Sequence, residues 1–226
     1  VVIRAPYIEK RRGEERPSTV PIGIILAQSV ITTICRVDDA AIQARLNNCG
    51  QAACTLRVEQ QLCSIIKEIS MLFMRYLKEI SAEIQELEHD LADTRSNEDL
   101  KLLLNLQKTV TYFHSALKTN DFIIDRIMRK GLPVGTTTKL AFSEDEVDGL
   151  DYALTETRQG IYMSKIFTEV LRSIADVYSS IISNSVNEIM KVLTSLTVII
   201  MIPTFITSFY GMNIELPFQH DATAIS

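Results

Sequence analysis

Several motifs that mark enzymes are missing from this sequence. Its 226 residues contain neither the Gly-x-x-x-x-Gly-Lys-Ser/Thr loop that cradles nucleotide phosphates nor the Gly-x-Ser-x-Gly turn that presents a serine nucleophile. No pair of carboxylates stands in a setting that indicates general acid–base catalysis. The sequence therefore gives no support to an enzyme.

Basic residues are missing from one end of the chain. All 23 lysines and arginines lie at or before Lys191, together with all but two of the 28 acidic residues, so this part has a small net negative charge. The residues that follow carry two charged side chains, Glu215 and Asp221. Because neither part is basic, the sequence argues against a nucleic-acid-binding surface.

The cysteines do not form a metal-binding pattern. No two of them make a Cys-x-x-Cys pair, and no histidine stands at ligand spacing from them, which argues against a zinc site. We interpret them as reduced thiols of a cytosolic body. The four are Cys35, Cys49, Cys54 and Cys63.

Residues 1–54 predict part of a mixed α/β cytosolic domain. Two runs rich in β-branched residues, 20–27 and 30–37, are separated by two residues and indicate a hairpin. The charged stretch 11–18 contains glycine and proline and predicts a loop, and 38–47 predicts a short helix capped by aspartate. The first residues lack the basic leader and cleavage site of a signal peptide and resemble the middle of a strand. We therefore expect the chain to begin inside a domain.

Residues 55–142 predict two paired antiparallel helices. Apolar residues recur every three or four positions in two stretches, which is the periodicity of one helix face. Gly131 and Pro133 mark the end of the second helix, and seams of this kind pack against each other. The first stripe comprises Leu62, Ile66, Ile69, Phe73, Tyr76, Ile80, Ile84, Leu87 and Leu91. The second comprises Leu103, Leu106, Val110, Phe113, Leu117, Ile124 and Ile127.

A third helix is predicted to start at the capping box formed by residues 143–146, Ser-Glu-Asp-Glu. Residues 143–191 would form a cytosolic stalk, and no proline interrupts the pattern before Pro203. A helix that continues to about Gly211 would be ~100 Å long at 1.5 Å per residue. Its apolar stripe comprises Val147, Leu150, Leu154, Ile161, Leu171, Ile174, Tyr178 and Ile181.

Residues 192–214 predict a transmembrane helix. These 23 residues carry no charge, whereas a bilayer core needs about 20 and a soluble core seldom needs so long an uncharged run. Lys191 marks the expected cytoplasmic edge. Pro203 is tolerable, because neighbouring helices in a membrane can satisfy the carbonyl that it leaves free.

Polar side chains form one stripe on this otherwise aliphatic helix, at steps of three and four residues. The spacing leaves two interpretations open. The threonines and the serine could be hydrogen-bonding contacts between packed helices, or several copies of the helix could surround a water-filled path that the stripe lines. The stripe comprises Asn187, Met190, Thr194, Thr197, Met201, Thr204 and Ser208.

The end of the helix resembles a known family. Tyr210 is followed by Gly211, Met212 and Asn213, and this triplet comes after Asn-Glu-Ile-Met-Lys-Val-Leu-Thr at 187–194 and Pro-Thr-Phe-Ile at 203–206. A Gly-Met-Asn triplet in this setting resembles the CorA family of magnesium channels. The resemblance extends from about residue 21 to residue 213 and includes the order of hairpin, paired helices, stalk and membrane helix.

The resemblance implies a specific architecture. Members of the family are homopentamers in the cytoplasmic (inner) membrane, with the bulk of each chain in the cytosol as a funnel of stalk helices. Each subunit has two membrane helices, of which the first lines the pore. In this sequence 215–226 would be an external loop, and no second membrane helix follows it, which we interpret as truncation. Membrane lipid and divalent cations are then the expected partners besides the other subunits.

The resemblance also implies roles for individual residues. Tyr210, Gly211, Met212 and Asn213 would form a selectivity filter that holds hydrated Mg²⁺, and the polar stripe would line the pore, with Met190, Leu193 and Met201 as its gate. No resident cofactor is expected, since Mg²⁺ would be cargo and regulator. The family closes through divalent ions bound by stalk carboxylates, for which the candidates are Asp145, Asp148 and Asp151. Glu215 and Asp221 would attract cations at the outer mouth.

Three alternatives remain open from the sequence. Some relatives move cobalt or zinc, and the triplet does not separate these ions from Mg²⁺. A membrane-anchored coiled-coil scaffold that conducts nothing would have the same helices, although it would need neither the polar stripe nor Asn213. The acidic residues at the start of the stalk are more simply explained as a capped and solvated first turn that the helix dipole favours.

Overall fold

The computed structural model describes residues 1–11, 14–27, 30–37, 57–90, 97–131, 133–134, 138–139 and 142–211. In this part of the chain a three-stranded sheet precedes three helices, with a two-stranded hairpin before the last. The predicted short helix at 38–47 lies outside the described residues. The strands are β1 (Val2–Arg11), β2 (Glu14–Leu26), β3 (Ile31–Cys35), β4 (Pro133–Val134) and β5 (Thr138–Lys139), and the helices are α1 (Val58–Asp90), α2 (Asn97–Lys130) and α3 (Glu144–Tyr210).

The antiparallel sheet has the strand order β1-β2-β3. The hairpin predicted from 20–27 and 30–37 is confirmed, since β2 and β3 pair from Leu26 and Ile31 outward. The loop predicted at 11–18 is wrong, because Glu14 to Ser18 belong to β2 and pair with β1.

The position of Pro17 explains why a strand tolerates it. Val1 and Ile24 exchange both backbone hydrogen bonds, and pairs alternate along an antiparallel ladder. Pro17, which pairs with Ile8, therefore occupies a non-hydrogen-bonded position, where its missing N–H costs no bond to β1.

One face of the sheet packs against α1 and α2. The inward side chains of β1 and β2 alternate with exposed ones, as a half-buried sheet requires. The apolar stripes predicted for α1 and α2 are confirmed as core, except that Leu91 lies outside the described residues and Tyr76 is half-buried. The buried residues of the sheet are Ile3, Ala5, Val20, Ile22 and Ile24.

Contacts between the helices define their directions. Three hydrogen bonds join α2 to α3: Gln107 with Leu171, His114 with Ser164, and Asp121 with Arg158. Along these bonds the residue numbers rise in α2 and fall in α3, so the two helices are antiparallel. Arg57 bonds to Glu146, and Ser70 bonds to Thr157. The residue numbers of both partners rise together, so the start of α1 runs parallel to the start of α3. The rings of Phe73 and Phe113 meet edge to face between α1 and α2, with their centroids 5.2 Å apart.

The ends of α2 and α3 follow the predicted signals. Gly131 has a φ of 66° and its N–H donates to the Ile127 carbonyl, which ends α2 in a left-handed residue that favours glycine. At the start of α3, the Ser143 N–H donates to Glu146 Oε2 over 2.7 Å, which is the return bond of a capping box. Helix α3 is continuous through Pro203.

The inward face of α3 differs from the prediction at its first turn. Val147 was expected in the apolar stripe, but it is exposed, and Glu146 is buried in its place. The physical reason is that Glu146 has a cationic partner, Arg57, which compensates for the desolvation of its carboxylate.

The chain divides into two compact units, Val1–Ala175 and Asp176–Ser226. The first unit contains the sheet, α1, α2 and the first part of α3. The second contains the remainder of α3 with the apolar segment. The boundaries predicted for the stalk and for the membrane segment remain predictions.

Candidate metal-ion pathway

Helix α3 carries the apolar segment. Among the described residues it is the one helix long and apolar enough to cross a membrane, and no residue of its most apolar 18-residue window is buried. Its far end presents three aromatic rings, Phe205 stacked on Phe209 and Phe209 edge to face with Tyr210. Tyrosine favours the water–lipid interface, so the position of Tyr210 is suited to one end of a membrane span.

The predicted pore-lining residues all lie exposed on α3 within the second unit. Each residue from 186 to 211 is exposed, so nothing in the described part of this unit covers the stripe. The stripe is therefore present as a surface and not as an enclosed path. Its members are Asn187, Met190, Thr194, Thr197, Met201, Thr204 and Ser208, with Leu193 beside them.

The threonine hydroxyls of the stripe are bonded to their own helix. Thr194, Thr197 and Thr204 each donate to the carbonyl four residues earlier, over 2.8 Å. Because each hydroxyl proton is used in this way, the oxygen keeps its lone pairs as an acceptor toward its surroundings. These side chains can lie in an apolar environment without an unpaired donor and still accept hydrogen bonds from water.

The stripe begins beside the last two charged residues before the apolar segment. Glu188 and Lys191 follow Asn187 and Met190 directly in the sequence, and all four side chains are exposed.

The described part of the predicted filter comprises Tyr210 and Gly211. The Gly211 N–H donates to the Thr207 carbonyl over 3.0 Å, and a Cβ at this glycine would lie 3.2 Å from the same oxygen. A side chain would therefore crowd the end of the helix. Met212 and Asn213 lie outside the described residues, as do the acidic residues predicted for the outer mouth, Glu215 and Asp221.

The candidate regulatory carboxylates lie in the first two turns of α3. Asp145, Asp148 and Asp151 are exposed. Within the described ranges, no group of three or more His, Cys, Asp or Glu side chains could hold a metal ion. A regulatory site at these three residues would therefore need ligands from outside the described part of one chain.

Glu146 has a structural role and does not belong to that exposed group. Its carboxylate is 4% exposed, with Oε1 2.6 Å from Arg57 Nη2 and Oε2 bonded to the Ser143 N–H. The backbone carbonyl of Glu146 accepts a hydrogen bond from the Cys63 thiol over 3.7 Å. Burial, reinforced by Glu146 and Glu59, raises the pKa of Cys63 to about 12, so this thiol is protonated and unreactive at neutral pH.

Sequence patterns did not predict the polar residues that are buried between elements of the fold, but the apolar stripes contained a signal for them. The stripe of α2 lacks a member between Leu117 and Ile124, and Asn120 occupies that position. The stripe of α3 likewise has gaps on either side of Ile161, where Thr157 and Ser164 lie. All three polar residues are buried. A polar residue at a position where the apolar repeat expects a core residue therefore indicates a buried polar contact.

Comparison with known proteins gives the following relatives. The chain is 31% identical over 218 residues to the cobalt/magnesium transport protein CorA of Methanocaldococcus jannaschii, which covers 94% of this chain and 65% of the relative. It is 26% identical over 159 residues to the cobalt/magnesium transport protein CorA of Thermotoga maritima, which covers 70% of this chain and 43% of the relative. The chain thus spans less than two thirds of the length of these relatives.

The fold comparison agrees with the sequence comparison. The complete structure of the CorA magnesium transporter from Methanocaldococcus jannaschii matches 98% of this chain and 68% of that chain, with a TM-score of 0.73 and 26% identity. The sequence profile of the CorA-like Mg²⁺ transporter proteins matches residues 1–225. This is a family of transporters and not of enzymes. With a CorA-like fold and a match over nearly its whole length, the chain belongs to the CorA-like Mg²⁺ transporter family.

Proposed function

We propose that this chain forms a channel that lets hydrated Mg²⁺ cross the cytoplasmic membrane into the cell, with Co²⁺ as a second cargo. The observation that carries the proposal is the polar stripe of α3, which runs along an uncharged and wholly exposed segment toward the Gly-Met-Asn triplet. Family membership and the names of the two relatives support the same cargo.

The hydroxyls of the stripe suit a hydrated cation. The water molecules around Mg²⁺ direct their protons outward, and Mg²⁺ dehydrates reluctantly. A wall for such an ion needs acceptors, and the oxygens of Thr194, Thr197 and Thr204 are free to accept because their protons are donated to the helix backbone.

The filter is proposed at the end of the helix. The side-chain amide of Asn213 and backbone carbonyls near Gly211 are neutral oxygens, which can hold the ion's water shell without trapping the ion. Several copies of these residues around one axis would form a ring of acceptors at the outer mouth. Glu215 and Asp221, repeated around the same axis, would raise the local concentration of cations.

The gate and the driving force need no nucleotide. Met190, Leu193 and Met201 lie on or beside the stripe, and rings of apolar side chains can close a pore by excluding water. A divalent cation gains about 4.6 kcal/mol for each 100 mV of inside-negative potential, twice the value for one charge. The membrane potential is therefore sufficient to drive uptake.

Assembly is part of the proposal, because one helix cannot enclose a path. We propose a funnel-like homopentamer in which the α3 helices surround the axis and α1 and α2 form a paired arm outside. The long apolar surface of α3 that the described part of the second unit leaves uncovered supports such an assembly. Mass determination of the full-length protein in detergent should give five copies, and a monomer or dimer would contradict the proposed assembly.

The deciding experiment is an ion-flux assay with the full-length protein in liposomes. We expect Mg²⁺ uptake that increases with inside-negative potential and is competed by Co²⁺. A zinc transporter of the same fold would show preferential Zn²⁺ uptake under the same potential. A membrane-anchored scaffold would be inserted and assembled but would give no flux above empty liposomes, and this result would refute the proposed function.

A further inference from the structure

Helix α3 has a closely packed face and a bare face within the first compact unit. The packed face meets α1 and α2 so closely that a Cβ at Gly160 would lie 3.1 Å from Leu117 Cδ1 and 3.3 Å from Leu77 Cδ1. On the other side of the helix, the side chain of Tyr162 is 70% exposed and that of Ile166 is 56% exposed. The bare face therefore carries large apolar side chains, whereas the outward face of an amphipathic helix is expected to be polar or charged.

The residues of the bare face follow a strict repeat of seven. Positions spaced alternately by three and four residues from Tyr152 to Ser173 are all exposed, and Glu169 is the one charged residue among them. An α-helix has 3.6 residues per turn, so a stripe that keeps a repeat of seven stays on one line only if the helix supercoils around partner helices. We call these positions the α3 seam, and its members are Tyr152, Thr155, Gln159, Tyr162, Ile166, Glu169 and Ser173.

Basic side chains accompany the seam without interrupting it. Arg158, Lys165 and Arg172 are exposed and recur every seven residues, so they form one row along the edge of the seam. Residues beside a helix–helix seam commonly carry charges that reach toward the neighbouring helix. Arg158 is already paired with Asp121 of its own chain. Lys165 and Arg172 are therefore the members of the row that can meet Glu169 of an adjacent helix.

The same repeat continues along the sequence of α3. Counting on by sevens from Tyr152 leads to Asn187. Counting on from Thr155 leads to Met190, and these two residues are the first members of the polar stripe. A second copy of this chain is the partner that the register favours, because a supercoil needs partner helices with a matching repeat and α3 itself supplies one.

We propose that the α3 seam is a contact surface for the α3 helices of further copies of this chain. The copies then meet within the first compact unit and not only along the apolar segment. In a ring of parallel copies, each Tyr162 lies at the level of Tyr162 in its neighbours, and each Ile166 at the level of Ile166. The contact rests on the proposed assembly and specifies residues through which its subunits meet.

Photo-crosslinking of the full-length protein in detergent tests the seam. The photoreactive residue p-benzoylphenylalanine replaces Tyr162 in one variant and Phe122 of α2 in a matched control, since both side chains are aromatic and their exposed fractions are 70% and 66%. Irradiation should join two or more chains through position 162, and peptide mapping should place the new bond in α3 of another copy. Position 122 should give no such product.

Three results of this experiment would overturn the contact. The first is the absence of a bond between chains from position 162 in a preparation whose mass shows several copies. The second is an equal yield from positions 162 and 122, because random encounters would then explain both. The third is a bond that maps to the sheet, to α1 or to α2 of another copy, since a different surface would then cover this face.

Charge substitutions give a second test in the same assay. Ile166 and Thr168 are both exposed, but they lie on opposite sides of α3, because two residues rotate an α-helix by about 200°. Ile166→Lys places a charge in the seam and should remove most of the bond from position 162, since a buried charge without a partner is costly. Thr168→Lys should leave that bond unchanged. Equal yields in the two variants would contradict the seam.

Ion flux measured on the same preparations separates the contact from the proposed function. Mg²⁺ uptake without an α3–α3 bond from position 162 would refute the contact alone. The bond without uptake would refute the channel and keep the contact. A monomer in detergent would refute both the contact and the proposed assembly.

Discussion

The side chain of Asn120 in α2 exchanges two hydrogen bonds with the backbone of Arg4 in β1. Its Oδ1 accepts the Arg4 N–H over 2.9 Å, and its Nδ2 donates to the Arg4 carbonyl over 2.8 Å. Arg4 pairs with Pro21 at a position where its backbone groups point away from β2. The amide of Asn120 thus takes the place of a neighbouring strand and ties the sheet to the helix that packs on it.

We predict that Asn120→Ala destabilises the protein by about 2–3 kcal/mol, because two hydrogen bonds are lost and the backbone groups of Arg4 lose their partner. Urea unfolding of the full-length protein in detergent measures the change. Thr119→Ala is the control, since Thr119 is exposed and bonded within its own helix, and it should change stability by no more than about 0.5 kcal/mol. Equal stability of the two variants would refute a role for the Asn120 amide.

Two glycines of α3 should respond to alanine in opposite directions. A Cβ at Gly160 would lie 3.1 Å from Leu117 Cδ1 and 3.3 Å from Leu77 Cδ1, whereas a Cβ at Gly149 would meet nothing within 4 Å. We predict that Gly149→Ala stabilises the helix by up to about 1 kcal/mol. Gly160→Ala gains the same helix propensity but must displace methyl groups of Leu117 and Leu77 inside a packed contact. We expect this overpacking to outweigh the gain and to destabilise the protein by about 1 kcal/mol. Thermal unfolding decides, and stabilisation by both substitutions would mean that the three helices do not meet closely at Gly160.

The filter is tested by Asn213→Ala. If this side chain faces the water shell of the ion and no packing neighbour, the substitution should abolish Mg²⁺ uptake and leave assembly unchanged. Flux into liposomes and mass in detergent are measured on the same preparation. Normal uptake by an assembled variant would remove Asn213 from the filter.

Regulation by intracellular Mg²⁺ is predicted to act through carboxylates at the start of α3. Ions bound between subunits would stabilise a closed arrangement, and without them the carboxylates would repel each other. Replacing Asp148 and Asp151 together by asparagine should weaken the inhibition by internal Mg²⁺, because neutral amides hold this ion poorly. Uptake is measured against internal Mg²⁺. The exposed pair Arg75–Glu79 offers a control in Glu79→Gln, and an unchanged inhibition curve in Asp148→Asn/Asp151→Asn would assign these residues to helix capping alone.

The start of α3 shows why such acids cannot be sorted by sequence alone. Glu146 stands between Asp145 and Asp148 in one acidic run, yet it is buried and paired with Arg57 while the two aspartates are exposed. The run predicted the helix start correctly, because capping depends on neighbours three residues apart. The pairing depends on Arg57, which is 89 residues away and which no local pattern connects to Glu146.

The sequence by itself determined the three helices, the hairpin β2–β3 and the apolar segment. Each depends on residues two to four positions apart, or on an uninterrupted run without charge, so the information is local. Only the tertiary structure decided which polar residues are buried partners, such as Asn120 with Arg4 and His114 with Ser164. It also decided that β2 extends through Pro17, because a proline's cost to a strand depends on which side its missing N–H would face. These outcomes depend on how segments that are distant in sequence align with each other. The spacing of apolar residues within one segment does not contain this information.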